Sequence, residues 1–173
     1  MLQSKELLEL LFVNTFNNMC AGISFHIDNI DPHELDHFFT PEEYQKQRKG
    51  DLIETFYWQK KPFLPVEEDG VVHLYEWGNR DVGVKMPKTG WAKIESIQDG
   101  LWDWLSPKKV IIPISFGHEK RKWFKTPRGL TGIKVRFHNL TRVYLITAKA
   151  DLTFISKIGH DRMPALAKIV YIN

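Results

Sequence analysis

Val110-Ile111-Ile112-Pro113-Ile114-Ser115-Phe116-Gly117-His118-Glu119 is the stretch on which the fold turns. An apolar, β-branched run that stops at a glycine reads as a strand delivered into a turn. The pattern repeats on both sides. Downstream, residues 122–124, 132–137 and 142–147 are short strand candidates separated by turn residues, and 167–172 is a last one. Upstream, residues 20–26 read as a strand, and Phe56-Tyr57-Trp58 as a strand running into a loop. Glu67-Glu68-Asp69-Gly70 is a hairpin turn whose returning strand covers 71–77. Helices are few. Asp31-Pro32 opens one turn with proline at a first-turn position, and Thr40-Pro41-Glu42-Glu43 is a capping-box start for a helix to about residue 49, closed by Gly50. Residues 2–16 read as a further helix, residues 78–90 as loop, 92–97 as a short helix or irregular segment, and 152–158 as strand or helix. Leu101-Trp102-Asp103-Trp104-Leu105 is expected in the core. The expected fold is α+β: a curved, mainly antiparallel sheet or open β-barrel with a few short helices. Residues 1–18 form an N-terminal extension and 19–173 the domain.

The 173 residues, 43% hydrophobic and 13% aromatic, suit one domain with a proper core and exclude wholesale disorder. One cysteine excludes an internal disulfide framework and a multi-cysteine zinc site, and suits a reducing, cytoplasmic setting. No apolar run approaches the roughly 18 residues of a membrane span. A secretory leader over the first residues is rejected, because Glu9 interrupts the apolar stretch and Asn17-Asn18-Met19 lacks small cleavage-site residues. The net charge of +3 hides an asymmetry: residues 1–100 hold 10 Lys/Arg against 17 Asp/Glu, and residues 101–173 hold 14 against 4. The basic half is a candidate surface for a polyanion, or a solvated face that offsets the acidic half.

Four features carry possible chemistry. Cys20, directly after Met19, is the lone thiol; such a residue is commonly a small buried hydrophobe. Gly159-His160-Asp161-Arg162-Met163-Pro164 presents an imidazole at a corner stiffened by proline, or is a surface turn whose Asp161 and Arg162 pair with each other. Glu119 ends an apolar strand beside aromatics, where burial would raise its pKa for acid–base work; alternatively it pairs with neighbouring cations. Basic and aromatic residues interleave in Lys120-Arg121-Lys122-Trp123-Phe124-Lys125, in Trp77-Gly78-Asn79-Arg80 and in Trp91-Ala92-Lys93, the combination that binds single-stranded nucleic acid, although each Trp taken singly is more commonly a core residue. The seven histidines are scattered and no glycine-rich phosphate loop exists, so neither metal nor cofactor is expected.

In order, Met19-Cys20, Trp77-Gly78, Ala92-Lys93-Ile94-Glu95-Ser96, the run from Ile112 to Glu119, Tyr144-Leu145-Ile146-Thr147-Ala148 and His160-Asp161-Arg162-Met163-Pro164 resemble the SOS response-associated peptidase family. The resemblance spans about residues 19–166. It implies a DNA-damage protein that binds single-stranded DNA and cross-links to abasic sites through an N-terminal cysteine, with associated peptidase and lyase activity. Carried over, Cys20 is the nucleophile once residues 1–19 are removed, Glu119 the acid–base group and His160 the residue that assists sugar opening. Lys93, Trp77, Arg162, Lys120, Arg121 and Lys122 become the expected DNA contacts of a monomer whose partner is single-stranded DNA with abasic sites.

The chain departs from the family at four points, the most serious being that Cys20 is not at the written N-terminus. Trp91 stands where the family has a sugar-contacting asparagine, with Asn79 nearby in sequence as a stand-in. Gly22 replaces an arginine two residues after the cysteine, and Lys93 replaces another. Two other functions fit the same residues. One is a peptidase that processes its own segment before Cys20; the other is a non-covalent nucleic-acid-binding barrel in which Cys20 is structural.

Overall fold

The computed structural model describes residues 21–28, 30–165 and 170–171, so the expected helix over 2–16 and Cys20 itself lie outside the described residues. In chain order the elements are β1 (Gly22–His26), α1 (Pro32–Phe38), α2 (Pro41–Gln47), β2 (Arg48–Lys49), β3 (Leu52–Phe56), β4 (Phe63–Glu68) and β5 (Val71–Glu76). They continue with β6 (Trp91–Lys93), α3 (Ile94–Gln98), a 3-10 turn (Asp103–Leu105), β7 (Lys108–Ile112), β8 (Phe116–Glu119) and β9 (Lys122–Lys125). The chain ends with β10 (Leu130–Phe137), β11 (Leu140–Lys149), α4 (Leu152–Ile158), β12 (Arg162–Pro164) and β13 (Val170–Tyr171).

The strands form two open sheets, ordered β13-β9-β8-β1-β3-β2 and β12-β11-β10-β7-β4-β5. Among the described residues the strand ladders are antiparallel except that β6 lies parallel to β11, and the isolated bridges Ile30–Val72 and Trp77–Val143 are parallel as well. The fold is therefore α+β with mostly antiparallel sheets and short helices, as the strand pattern predicts.

The opening stretch shows why there are two sheets rather than one. Residues 110–116 are not a single strand. Proline has no N–H to donate to a ladder, and the chain bends at Pro113, where Ile114 N donates to Ile112 O at 2.9 Å. Before the bend β7 pairs with β10 and β4; after it β8 pairs with β1 and β9. One apolar run thus serves both sheets. Ile112 and Ile114, both buried, pack with Ile23, Phe25, Ile53, Phe63, Leu64, Val66 and Trp77 in the main core. A second core gathers Trp102, Leu105, Ile133, Val135 and Tyr144 under the loop that carries Met86.

Local signals set the element ends. Thr40 Oγ1 accepts from Glu43 N at 3.2 Å while Glu43 Oε2 accepts from Thr40 N at 2.9 Å, a complete capping box. Helix α2 nevertheless stops at Gln47, because Arg48 and Lys49 pair with Ile53 and Leu52. Asp69 and Gly70, at φ 53° and 78°, make the two-residue hairpin between β4 and β5. Strand β3 ends at Phe56 because Gln59 Oε1 accepts from Phe56 N at 3.0 Å and closes a turn. Residues 92–97 divide into the end of β6 and the start of α3. The ambiguous segment 152–158 is helix α4, fixed by Asp151, whose Oδ1 accepts from Phe154 N at 2.7 Å. The aromatic cluster at 101–105 divides: Trp102 and Leu105 are buried, but Leu101 and Trp104 are exposed. Among the described residues no helix is long and apolar enough to cross a membrane.

Candidate functional site

The candidate site gathers where the head of β1, the β8–β9 hairpin and the corner between α4 and β12 converge. Ala21, just before β1, accepts a hydrogen bond from Tyr57 N at 2.9 Å. Gly22 then lies opposite His118, so the start of β1 runs beside the end of β8, where Glu119 is 1% exposed. The hairpin that follows Glu119 puts two residues with side chains, Lys120 and Arg121, at φ 45° and 65°. Each such residue costs about 1–2 kcal/mol against the usual backbone, so the turn persists because its surroundings hold it. Lys120 Nζ donates to Gly159 O, and Lys122 Nζ to Lys157 O at 2.7 Å. The two ammonium groups thus satisfy carbonyls at the C-terminal end of α4. Phe124 of β9 and Phe154 of α4 meet edge to face at 5.7 Å and anchor the same junction.

Helix α4 ends at Gly159, whose φ of 82° suits glycine and whose N–H donates to Ile155 O at 2.8 Å. The chain then buries His160 to 4% exposure. Arg162 N donates to His160 Nδ1 at 3.0 Å. Asp161 Oδ1 also lies 3.2 Å from Nδ1, but that nitrogen already accepts from the backbone donor and Asp161 is largely in solvent. The neutral ring is therefore the Nε2–H tautomer, with its proton on the inner nitrogen.

Arg162 locks the other side of the corner. Its Nη1 and Nη2 donate to the two carboxylate oxygens of Glu95 at 2.8 Å each, and Nη2 donates also to Thr147 O at 2.8 Å. The guanidinium fork holds the Glu95 carboxyl down at about 2, with hydrogen bonding to Arg162 the main cause. So Asp161 and Arg162 do not pair with each other; Arg162 ties β12 to α3 and β11.

Of the expected residues, Glu119 and His160 come to adjoining corners: the residue after Glu119 bonds the residue before His160. Cys20 lies outside the described residues. Lys93 is exposed at the end of β6. Arg121 is exposed, whereas Lys120 and Lys122, also at the surface, turn their ammonium groups onto α4 carbonyls. Trp77 is a core residue, 1% exposed, with its Nε1 donating to Gly90 O at 2.9 Å and its ring against Tyr57 and Trp91. Its faces are covered by protein, so it offers no stacking surface. Asn79 is no stand-in for the asparagine displaced by Trp91: it is buried, its Nδ2 donates to Met86 O at 3.0 Å, and its Oδ1 accepts from Asp81 N at 3.0 Å, organising the loop.

Sequence reasoning missed two features. Glu95 lay inside a quoted motif with no partner assigned, and Arg162, 67 positions away, is that partner. Phe56, Trp58, His118 and Trp123 make a surface aromatic row; its signal was Trp58 followed by Lys60-Lys61, the same interleaving noted elsewhere. Among the described residues no group of three or more His, Cys, Asp or Glu is arranged to hold a metal ion.

The fold is shared with a solved structure of a structural-genomics protein from Bacteroides thetaiotaomicron, at a TM-score of 0.57 and 17% identity over 84% of this chain and 76% of that one. No protein-family model and no curated protein matches the chain.

Proposed function

We propose that this chain binds single-stranded DNA and captures abasic sites covalently through Cys20, in the manner of the SOS response-associated peptidases it resembles. The observation that carries the reading is the junction just described. A buried carboxyl at the end of β8 and a buried imidazole in its Nε2–H form are tied together through Lys120, beside the chain that enters β1 immediately after Cys20.

With residues 1–19 removed, Cys20 carries a free α-amine of ordinary pKa near 8, partly neutral at physiological pH. His160 Nε2–H donates a hydrogen bond to the sugar ring oxygen as the abasic deoxyribose opens to its aldehyde; the C1–O bond to that oxygen breaks, and the proton lost by the C1 hydroxyl passes through water to the ring oxygen. The amine adds to that aldehyde carbon, and loss of one water leaves an imine. The Cys20 sulfur then bonds to the same carbon, its proton passes to nitrogen, and a five-membered thiazolidine closes. Glu119 moves protons for these steps, taking one from the amine and returning one as water leaves. Lys93 and Arg121 hold phosphates by charge.

The test is a heat-resistant adduct on single-stranded DNA containing one abasic site. A protein beginning at Cys20 forms it, and Glu119→Gln slows formation about 100-fold or more. Equal adduct from Cys20→Ala overturns the proposal.

A further inference from the structure

Four aromatic side chains form a row across the face of the first sheet. Phe56 of β3 is the register partner of Gly22, Gly22 of His118, and His118 of Trp123. Gly22 is what lets the row close. A Cβ at that position would stand 2.5 Å from Phe56 Cε1 and 3.3 Å from His118 Cβ, so only glycine lets the Phe56 ring lie across β1. The rings then meet in series: Phe56 and His118 at 5.6 Å, Phe56 and Trp123 at 6.1 Å, His118 and Trp123 at 4.7 Å. Trp58, just beyond β3, stacks on Phe56 at 4.5 Å with planes 25° apart, and is still 59% exposed. Burial lowers the His118 pKa and favours its neutral ring, which suits an apolar row rather than a phosphate contact.

We propose that this row is a stacking shelf for a nucleobase of a single strand, beside the start of β1. The assignment rests on the single-stranded DNA reading above. Where an arginine two residues after the cysteine would supply charge, this chain has a glycine and uses the space for aromatic surface. The setting favours nucleic acid over a protein partner: Lys60, Lys61, Arg121 and Lys125 are exposed around the row, and Glu54 is the acidic residue in the neighbouring register row. Aromatic faces stack any base, so the shelf is expected to tolerate sequence.

The experiment uses the full chain, an undamaged fluorescent 12-residue oligothymidine, and inorganic polyphosphate as a polyanion without bases. Trp58 is exposed and makes its contact on a turn, so Trp58→Ala is expected to fold. The proposal predicts that Trp58→Ala weakens oligothymidine binding roughly 5- to 150-fold, the worth of one stacked base. Trp58→Phe recovers most of the loss, polyphosphate binding is unchanged, and Trp123→Ala acts in the same direction. Unchanged oligothymidine binding overturns it, as does an absence of binding by the unsubstituted chain. A parallel loss on polyphosphate overturns it as well, and so does a change in self-association with DNA binding intact. Undamaged DNA needs no Cys20 chemistry. A failed cross-linking assay with the predicted Trp58 effects present would therefore remove the cross-linking reading and leave the shelf.

Discussion

Glu95→Gln isolates the clamp that holds the His160 corner. The wild-type carboxylate receives both terminal nitrogens of Arg162 at 2.8 Å, and its pKa falls from 4.5 to about 2. Taken at face value that shift is worth about 3.4 kcal/mol, at about 1.36 kcal/mol per unit. Glu95 is 51% exposed, however, and Arg162 only 19%. Solvent screening of the half-exposed partner brings the expected contribution to about 1–2 kcal/mol. Because the folded-state pKa is depressed, this stability is fully present above about pH 5 and is lost as pH falls through 4.5 towards 2. At pH 3 less than half of it remains. Urea unfolding of wild type and Glu95→Gln should therefore differ by about 1–2 kcal/mol at pH 7 and by less than half of that at pH 3. An equal difference at both pH values, or none at pH 7, refutes the assignment of Arg162 as the fork that clamps Glu95.

Three further outcomes follow from local geometry. Gly22→Ala puts a methyl group against the Phe56 ring and should destabilise by about 1–3 kcal/mol, seen as a lower melting temperature. Arg121→Gly relieves a side chain held at φ 65° and should raise stability by about 0.5–1 kcal/mol in urea titration. Thr40→Ala removes the acceptor for Glu43 N and should cost about 1 kcal/mol in the same titration.

What the sequence disclosed and what it hid divide along the range of the interaction. The capping box at Thr40, the Asp69-Gly70 hairpin and the helix ending at Gly159 are decided within a few residues, and each is written locally. Helix α4 was ambiguous because its apolar pattern suits either element; the Asp151 cap decides it. The break at Pro113 hides inside an apolar run, since Ile112 before it and Ile114 after it are both buried while β7 and β8 join different sheets. Composition flagged basic and aromatic residues together without separating Trp77, which fills the core, from Trp58, which faces solvent. That choice depends on which face of which strand each ring joins. The Arg162–Glu95 clamp and the row through Gly22 depend on register between strands distant in sequence, which no local pattern encodes. Glu119 and His160 were legible as candidates from their places at the ends of an apolar strand and a glycine-ended segment; the Lys120 bond that joins their corners was not.

The central claim is best tested by the intact mass of the adduct formed between a protein beginning at Cys20 and a short single strand carrying one abasic site. The expected mass is the sum of the two masses less one water, in an adduct stable to heat without added reductant and absent from the full 1–173 chain, whose Cys20 has no free amine. An equally heat-stable adduct from the Cys20→Ala protein, or from the full-length chain, would contradict it.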